Sequence, residues 1–435
     1  MKQRYVERRP DRDGRMENQM KREVVITGLG AVSPIGNTVK DMWQSVLDAK
    51  CGIAPITRYD VTERKVKLAA EVKDFDPELT IDRKEVRKMD RYTQYAMAAA
   101  VEACRDAGIS EAADLTEDSW ETRSRWGVLM ASGIGGIRTI EEEQMRGESK
   151  GFDRVSPFFI PKSISNMAAG QIAIRYGFHG ACYCTVTACA SAANAIGEAF
   201  LKIRDGYADL MLCGGAEAAI TPLSMGGFTS LQALSKATDP NRASIPFDKE
   251  RSGFVMGEGA GVLILEELEH AKARGAQIYG KITGYGTNCD AHHITAPLED
   301  GRGASACMQM ALDDAGITAA DVDYINAHGT STPLNDCGET LAIRTTFGEH
   351  ADKLKCSSTK SMTGHLLGAS AAIEAIITVL AIQNQFLPPT VNYAVPDEDC
   401  DLDIVPGKGY EWPVHCAISN SLGFGGHNAT LVFSE

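Results

Sequence analysis

The sequence predicts an α/β protein built from two related parts, and three observations carry that prediction. Apolar runs recur along the chain and end in glycines, as in Val24-Val25-Ile26-Thr27-Gly28-Leu29-Gly30, Trp126-Gly127-Val128-Leu129-Met130-Ala131-Ser132-Gly133 and Ala208-Asp209-Leu210-Met211-Leu212-Cys213-Gly214-Gly215. Helical stretches lie between them, for example Gln94 to Asp106 and Ala192 to Arg204. After Gly261-Val262-Leu263-Ile264-Leu265-Glu266 the pattern begins again, with Tyr279 opening a second series. Strands that are apolar throughout belong to sheets covered by helices on both faces.

Taken in order, residues 1–22 read as a polar tail rich in Arg, Asp and Glu, without the hydrophobic segment of a secretory signal. Its arginines resemble a transit peptide, but Glu7, Asp11, Asp13 and Glu17 oppose that reading, and Met16 and Met20 are alternative starts. A disordered or loosely packed segment is expected there. The first half is assigned to residues 23–277. Gly28-Leu29-Gly30 lacks the third glycine of a dinucleotide fingerprint, so a tight turn is expected rather than a cofactor site. In the second half, residues 278–435, strands are expected near Lys281–Tyr285, Val322–Ala327, Ala417–Asn420 and Ala429–Phe433, with a helix over Ala371–Gln383.

With 435 residues, 44% hydrophobic, the chain can bury one large core or two fused ones. No apolar stretch of membrane length is read, so no membrane span is expected. Neither nucleic acid nor a membrane is expected as a partner, and at a formal net charge of −14 any acidic partner needs a local basic patch to meet. Twelve cysteines without a signal sequence fit reduced thiols in the cytoplasm better than a secreted disulfide framework. Cys182, Cys184 and Cys189 lack the paired Cys-x-x-Cys of structural zinc sites, and the first two fall on an apparent buried strand, so no metal is expected.

The chemistry centres on Thr185-Val186-Thr187-Ala188-Cys189-Ala190-Ser191-Ala192-Ala193-Asn194-Ala195. A β-prone tripeptide meets a cysteine ringed by small residues, and a helix former follows, the layout of a nucleophile on a strand-to-helix turn. Free N–H groups and the positive end of that helix favour thiolate, the form that attacks acyl carbon. Two later segments each bring a histidine in a polar loop: Asn326-Ala327-His328-Gly329-Thr330-Ser331-Thr332-Pro333 and Lys360-Ser361-Met362-Thr363-Gly364-His365. One cysteine with two imidazoles does not follow the order of a cysteine hydrolase. Glu374 stands among Ala372, Ile373, Ala375 and Ile376. A carboxylate so placed needs a buried cation, and Lys360 is the candidate.

Val186-Thr187-Ala188-Cys189-Ala190-Ser191, the two histidine segments and Asn420-Ser421-Leu422-Gly423-Phe424-Gly425-Gly426-His427-Asn428 together resemble the β-ketoacyl-acyl-carrier-protein synthases. The resemblance runs from about Glu23 to the C-terminus. Asp248-Lys249-Glu250-Arg251-Ser252-Gly253-Phe254-Val255-Met256-Gly257-Glu258-Gly259-Ala260-Gly261 fits too, and the chain looks most like the type II synthases of dissociated bacterial fatty-acid synthesis. The resemblance implies a thiolase-like fold, two halves stacked as a five-layer α/β/α/β/α sandwich.

It also implies roles. Cys189 takes an acyl group from acyl carrier protein as a thioester, and malonyl carrier protein then loses carbon dioxide to give an enolate that attacks it. His328 and His365 donate to the enolate oxygen, each through Nε2–H if neutral, with the charge of Lys360 nearby. The backbone N–H groups of Cys189 and Phe424 hold the acyl-transfer oxyanion. Thr330 and Thr332 bind the phosphopantetheine arm, which the carrier protein brings, so the enzyme has no cofactor of its own. Phe424, between glycines, gates the acyl pocket, and Ile134 lines its far end, near the interface of an expected homodimer. Arg83-Lys84-Glu85-Val86-Arg87-Lys88-Met89-Asp90-Arg91 resembles the carrier-protein docking segment, with Lys84, Arg87 and Lys88 foremost; a solvated helix face laced with ion pairs is the alternative. A thiolase would carry a second cysteine near the C-terminus, where this chain has Gly423 to Asn428. A polyketide or aryl-polyene ketosynthase shares the same triad, whereas a non-catalytic chain-length factor normally lacks the cysteine.

Overall fold

The computed structural model describes residues 21–435. The expected N-terminal tail therefore lies outside the described residues, except at its end. There Arg22 is not loose: its N–H donates to the Arg204 carbonyl and its guanidinium to Asp209.

Ten strands form the central sheet: β1 Val24–Val32, β2 Trp126–Ala131, β3 Cys182–Tyr183, β4 Leu210–Glu217, β5 Gly259–Glu267, β6 Gly280–Cys289, β7 Tyr324–Asn326, β8 Lys355–Ser357, β9 Cys416–Gly423 and β10 His427–Ser434. The helices that form the layers over it are α1 Arg91–Asp106, α2 Met167–Tyr176, α3 Ser191–Arg204, α4 Arg302–Ala315, α5 Pro333–Phe347 and α6 Ser370–Asn384. The spatial order is β8-β7-β9-β10-β6-β1-β5-β4-β2-β3. Outward from the β6–β1 junction, both sides read antiparallel, antiparallel, parallel, parallel. The halves are thus duplicates joined by a short pairing of Val24–Ile26 with Gly280–Ile282.

Side chains alternate across each sheet with the period of two that a strand imposes. In β4, Leu210 and Leu212 face α1 and α2, while Met211 and Cys213 face α3 and α6. In the second half Ile325, Ile418 and Val432 face α4 and α5, while Tyr324, Ala417 and Phe433 face inward. The layers are therefore α1/α2, sheet, α3/α6, sheet, α4/α5, the expected sandwich. Helix α6, packed on both sides, is buried from Ser370 to Ile382, as a helix apolar all round must be.

That helix corrects one expectation. Leu367–Asn384 has the length and hydropathy to cross a bilayer, but 89% of it is buried within the protein, so it is the core of the sandwich. The glycine turns are corrected too. Gly28 and Gly30 lie inside β1, which runs on to Val32. A Cβ at Gly30 would come within 1.9 Å of the Ala99 carbonyl of α1, so these glycines serve close helix–sheet approach. Gly214 and Gly215 likewise stay within β4.

Candidate active site

Cys189 sits on a tight 3₁₀ turn, Ala188–Ala190, directly before α3. Thr185-Val186-Thr187 is not a strand: β3 ends at Tyr183, and the following residues bend into the turn. Ala188 adopts φ +51°, a left-handed conformation costly for any residue with a Cβ, and this is the kink that presents the thiol. It is braced locally. The Thr187 N–H donates to Ser191 Oγ at 2.8 Å, and Ser191 Oγ donates to the Ala188 carbonyl at 2.6 Å. Gly423 at the end of β9 lies against the turn; a Cβ there would stand 3.2 Å from the Cys189 nitrogen. The two halves meet at the nucleophile.

Cys189 lies deep, yet keeps surface open to a cavity of about 520 Å³ that it shares with Ile134, His328, His365 and Phe424. In the resting site burial works against the expected thiolate. Burial pushes the thiol up to about 11, opposed by the positive charge of Lys360 and by the Phe424 N–H directed at the sulfur. The helix α3 itself begins only at Ser191, after the 3₁₀ turn.

Both histidines reach the thiol. The sulfur and one nitrogen from each ring lie within 4.8 Å of one another, and the rings stand edge to face, 5.4 Å between centroids. His328 follows β7, its loop held by Glu339 of α5, whose carboxylate accepts from the N–H groups of His328 and Gly329 at 2.8 Å each. Asp336, one turn earlier on α5, accepts from the Thr330 and Ser331 N–H groups. His365 is held by Ser370 Oγ, 2.8 Å from Nδ1, and by Phe254, whose ring stands edge to face with it at 5.2 Å between centroids. With Ser370 donating, the proton of neutral His365 is on Nε2. Burial first, then the charge of Lys360, lowers both histidines well below their usual value. Both are neutral near pH 7, as donors to an oxyanion should be.

Lys360 and Glu374 form the expected ion pair. Both are buried, Lys360 at the start of a single helical turn and Glu374 mid-way along α6. The pair sets a positive charge beside the imidazoles. The Cys189–His328–His365 set resembles a zinc ligand set in residue type, but the field of Lys360 opposes a cation there. Cys182 is exposed and Cys184 half-buried, not on a buried strand, because β3 is the sheet's edge; neither joins the cluster.

The remaining predicted residues are distributed as follows. Thr330 and Thr332 line the cavity with hydroxyls 2.9 Å apart. Phe424 lies 6.4 Å from the Phe228 ring, and Gly425 and Gly426 beside it take φ +86° and +76°. Lys84 lies on a four-residue helix, Arg83–Val86, and Arg87 caps its end; both are exposed and form no ion pair among the described residues. Lys88 instead pairs with Glu85 at 2.7 Å, so that side of the segment matches the laced alternative. Sequence reasoning missed Asp336, Glu339, Phe254 and Ser370. Its only available signal was two acids three apart on a helix.

The sequence signature described as "Beta-ketoacyl synthase, N-terminal domain" matches residues 21–271, and "Beta-ketoacyl synthase, C-terminal domain" matches 279–394. The chain belongs to the β-ketoacyl synthase family. It is 53% identical over 97% of its length to all of a Synechocystis 3-oxoacyl-[acyl-carrier-protein] synthase 2. It is also 53% identical over 95% of its length to 98% of the protein of that name from Staphylococcus aureus. Among solved structures, a β-ketoacyl synthase from Burkholderia phymatum superposes with a TM-score of 0.87 at 35% identity, covering 96% of this chain and all of that one. A type II polyketide ketosynthase, solved in complex with its acyl-carrier protein and bound to the hexaketide, gives 0.86 at 37%, covering 95% and 99%. In this synthase the matched N-terminal domain contains Cys189, and the matched C-terminal domain contains His328, Lys360, His365 and Glu374.

Proposed function

We propose that the chain is a 3-oxoacyl-[acyl-carrier-protein] synthase that lengthens fatty acyl chains by decarboxylative condensation. The observation that carries this is a thiol facing a deep cavity within 4.8 Å of two imidazoles kept neutral beside a buried lysine. Cys189 sulfur attacks the acyl thioester; the carrier thiol leaves with the proton, and an acyl-Cys189 thioester remains. The N–H groups of Cys189 and Phe424 hold the tetrahedral oxyanion, the latter already pointing at the sulfur. Malonyl carrier protein then breaks its bond to carboxylate as carbon dioxide, and the electron pair becomes an enolate whose oxygen His328 and His365 receive. Its carbon attacks acyl-Cys189, returning the sulfur as thiol once protonated and releasing the 3-oxoacyl carrier protein. Lys360, held by Glu374, supplies positive potential for that charge.

Thr330 and Thr332 bind the pantetheine amides, Phe424 moves to admit the acyl chain, and Ile134 bounds it. Lys84 and Arg87, with Lys88 in a lesser part, receive the acidic carrier protein. The substrate's pantetheine is the only prosthetic group required, and no metal takes part. A homodimer is the working form, each chain having its two halves divided at 277/278: the edge strand β3 is open, and Phe158, Ile160, Ile164, Ile174 and Val186 are exposed nearby in the chain. Its twelve free thiols fit the cytoplasm. The polyketide reading rests on the solved ketosynthases at 35–37% identity, against 53% for the fatty-acid relatives. Intact-mass analysis after incubation with saturated acyl carrier proteins tests the proposal. An adduct on Cys189, converted to a chain two carbons longer by malonyl carrier protein, is expected; no adduct from any donor refutes it.

A further inference from the structure

Glu217 ends β4, fully buried, and forms no ion pair among the described residues. Four donors surround its carboxylate. Oε2 accepts from the N–H groups of Gly133 at 2.7 Å and Gly368 at 3.0 Å; Oε1 accepts from Ser132 Oγ at 3.1 Å and the Ile134 N–H at 3.2 Å. The donors come from two separate segments, the loop after β2 and the loop after His365. These approach so closely that a Cβ at Gly368 would stand 2.2 Å from the Gly133 nitrogen.

Each segment carries one apolar side chain into the cavity that holds Cys189: Ile134 from the first and Leu367 from the second. Leu367 is buried in a left-handed conformation, φ +49°, which persists only where its surroundings enforce it. Its neighbour Gly368 is one of the groups Glu217 holds. Ile134 and Leu367 pack in one cluster with Phe228.

We infer that Glu217 is a positioning residue for acyl-chain selection, clamping Ile134 and Leu367 together as the wall against which the chain length is measured. The inference rests on the condensing-enzyme reading of the same cavity. A carboxylate suits the task because it offers only acceptors to four converging donors. Gln keeps its shape but turns one end into a donor, which orphans one N–H and loosens one side of the clamp.

The test is a series of acyl-carrier-protein donors from butyryl to palmitoyl, scored as initial rates of Cys189 acylation in the full-length protein. Glu217→Gln is expected to flatten the selectivity, lowering the ratio between best and worst donor about tenfold, the effect of roughly 1.4 kcal/mol from one orphaned buried donor. Malonyl decarboxylation keeps its parent rate. Since burial pushes Glu217 up to about 7, the parent's ratio also falls as pH drops below that value, while that of Glu217→Gln stays flat. Ser132→Ala removes one donor from the same carboxylate and, with it, the acceptor of the Gly135 N–H; it moves the ratio the same way and, Glu217 being retained, keeps the parent's fall with pH, which decides the matter if Glu217→Gln fails to fold. An unchanged ratio, or equal losses for every donor and for decarboxylation, would overturn the inference. Absence of loading in the parent would refute the condensing-enzyme reading and the inference with it.

Discussion

The two halves share one strand order, and the ends of their sheets are put to different use. On the first half, the chain leaving β3 kinks at Ala188 and presents Cys189 at a cavity, half-open and held as a thiol. On the second, the loops after β7 and β8 carry His328, Lys360 and His365, all buried. The difference teaches a division of labour. The group that must meet a large acyl chain keeps an open face, whereas the groups that must stabilise a transient negative charge are taken out of water, where fixed donors act most strongly.

Cys189→Ala breaks the comparison most completely. Acyl loading and condensation should vanish, while decarboxylation of malonyl carrier protein persists, measured by carbon dioxide release beside intact mass. Elongation by this variant would remove Cys189 from its role. His328→Ala and His365→Ala attack the other side: each should slow decarboxylation by about 10²–10³, with loading reduced far less. A His328→Ala protein that lost loading but kept decarboxylation would show that the imidazole serves the thiol instead.

Lys360→Ala leaves Glu374, already pushed up by burial, without the cation that holds it ionised, so unfolding in denaturant should show a loss of about 3–5 kcal/mol, with decarboxylation impaired more than loading. Titration sharpens the contrast between the halves. Alkylation of Cys189 by iodoacetamide should rise about tenfold per pH unit from neutrality toward 11, as the thiolate fraction grows. The histidines run the other way. Their folded-state affinity for protons is depressed, so the stability tied to their neutral forms is present above the unfolded value of about 6.5 and is lost as pH falls below it. Denaturation midpoints measured between neutral and mildly acidic pH should fall accordingly. The smallest effect lies at the docking segment. Lys84→Glu with Arg87→Glu should raise KM for carrier-bound donors on the order of tenfold and weaken its salt dependence, sparing small acyl thioesters. Lys88→Glu alone should do less, because Glu85 already holds that charge.

The reactive constellation was legible because its parts sit in short polar or small-residue segments that interrupt apolar runs, and the Lys360–Glu374 pair because a carboxylate amid Ala and Ile demands a cation. The alternation of strands and helices was equally plain. Less legible were Asp336 and Glu339, whose partners are backbone N–H groups of a preceding loop; no side-chain pattern marks such a bond. The glycines of β1 misled for a related reason, since what they avoid is the carbonyl of Ala99, a helix far along the chain.

By itself the sequence determined the residue types that chemistry requires and the local periodicities that set strands and helices, since both are properties of a few consecutive side chains. Tertiary structure alone decided the protonation states and the shared geometry. Whether Cys189 is a thiol or His365 neutral depends on how much water is excluded around it and on the distance to Lys360, which is 171 residues from the cysteine. Only packing two sheets against α3 and α6 fixes those quantities, because desolvation and Coulomb energy depend on separation in space and not along the chain.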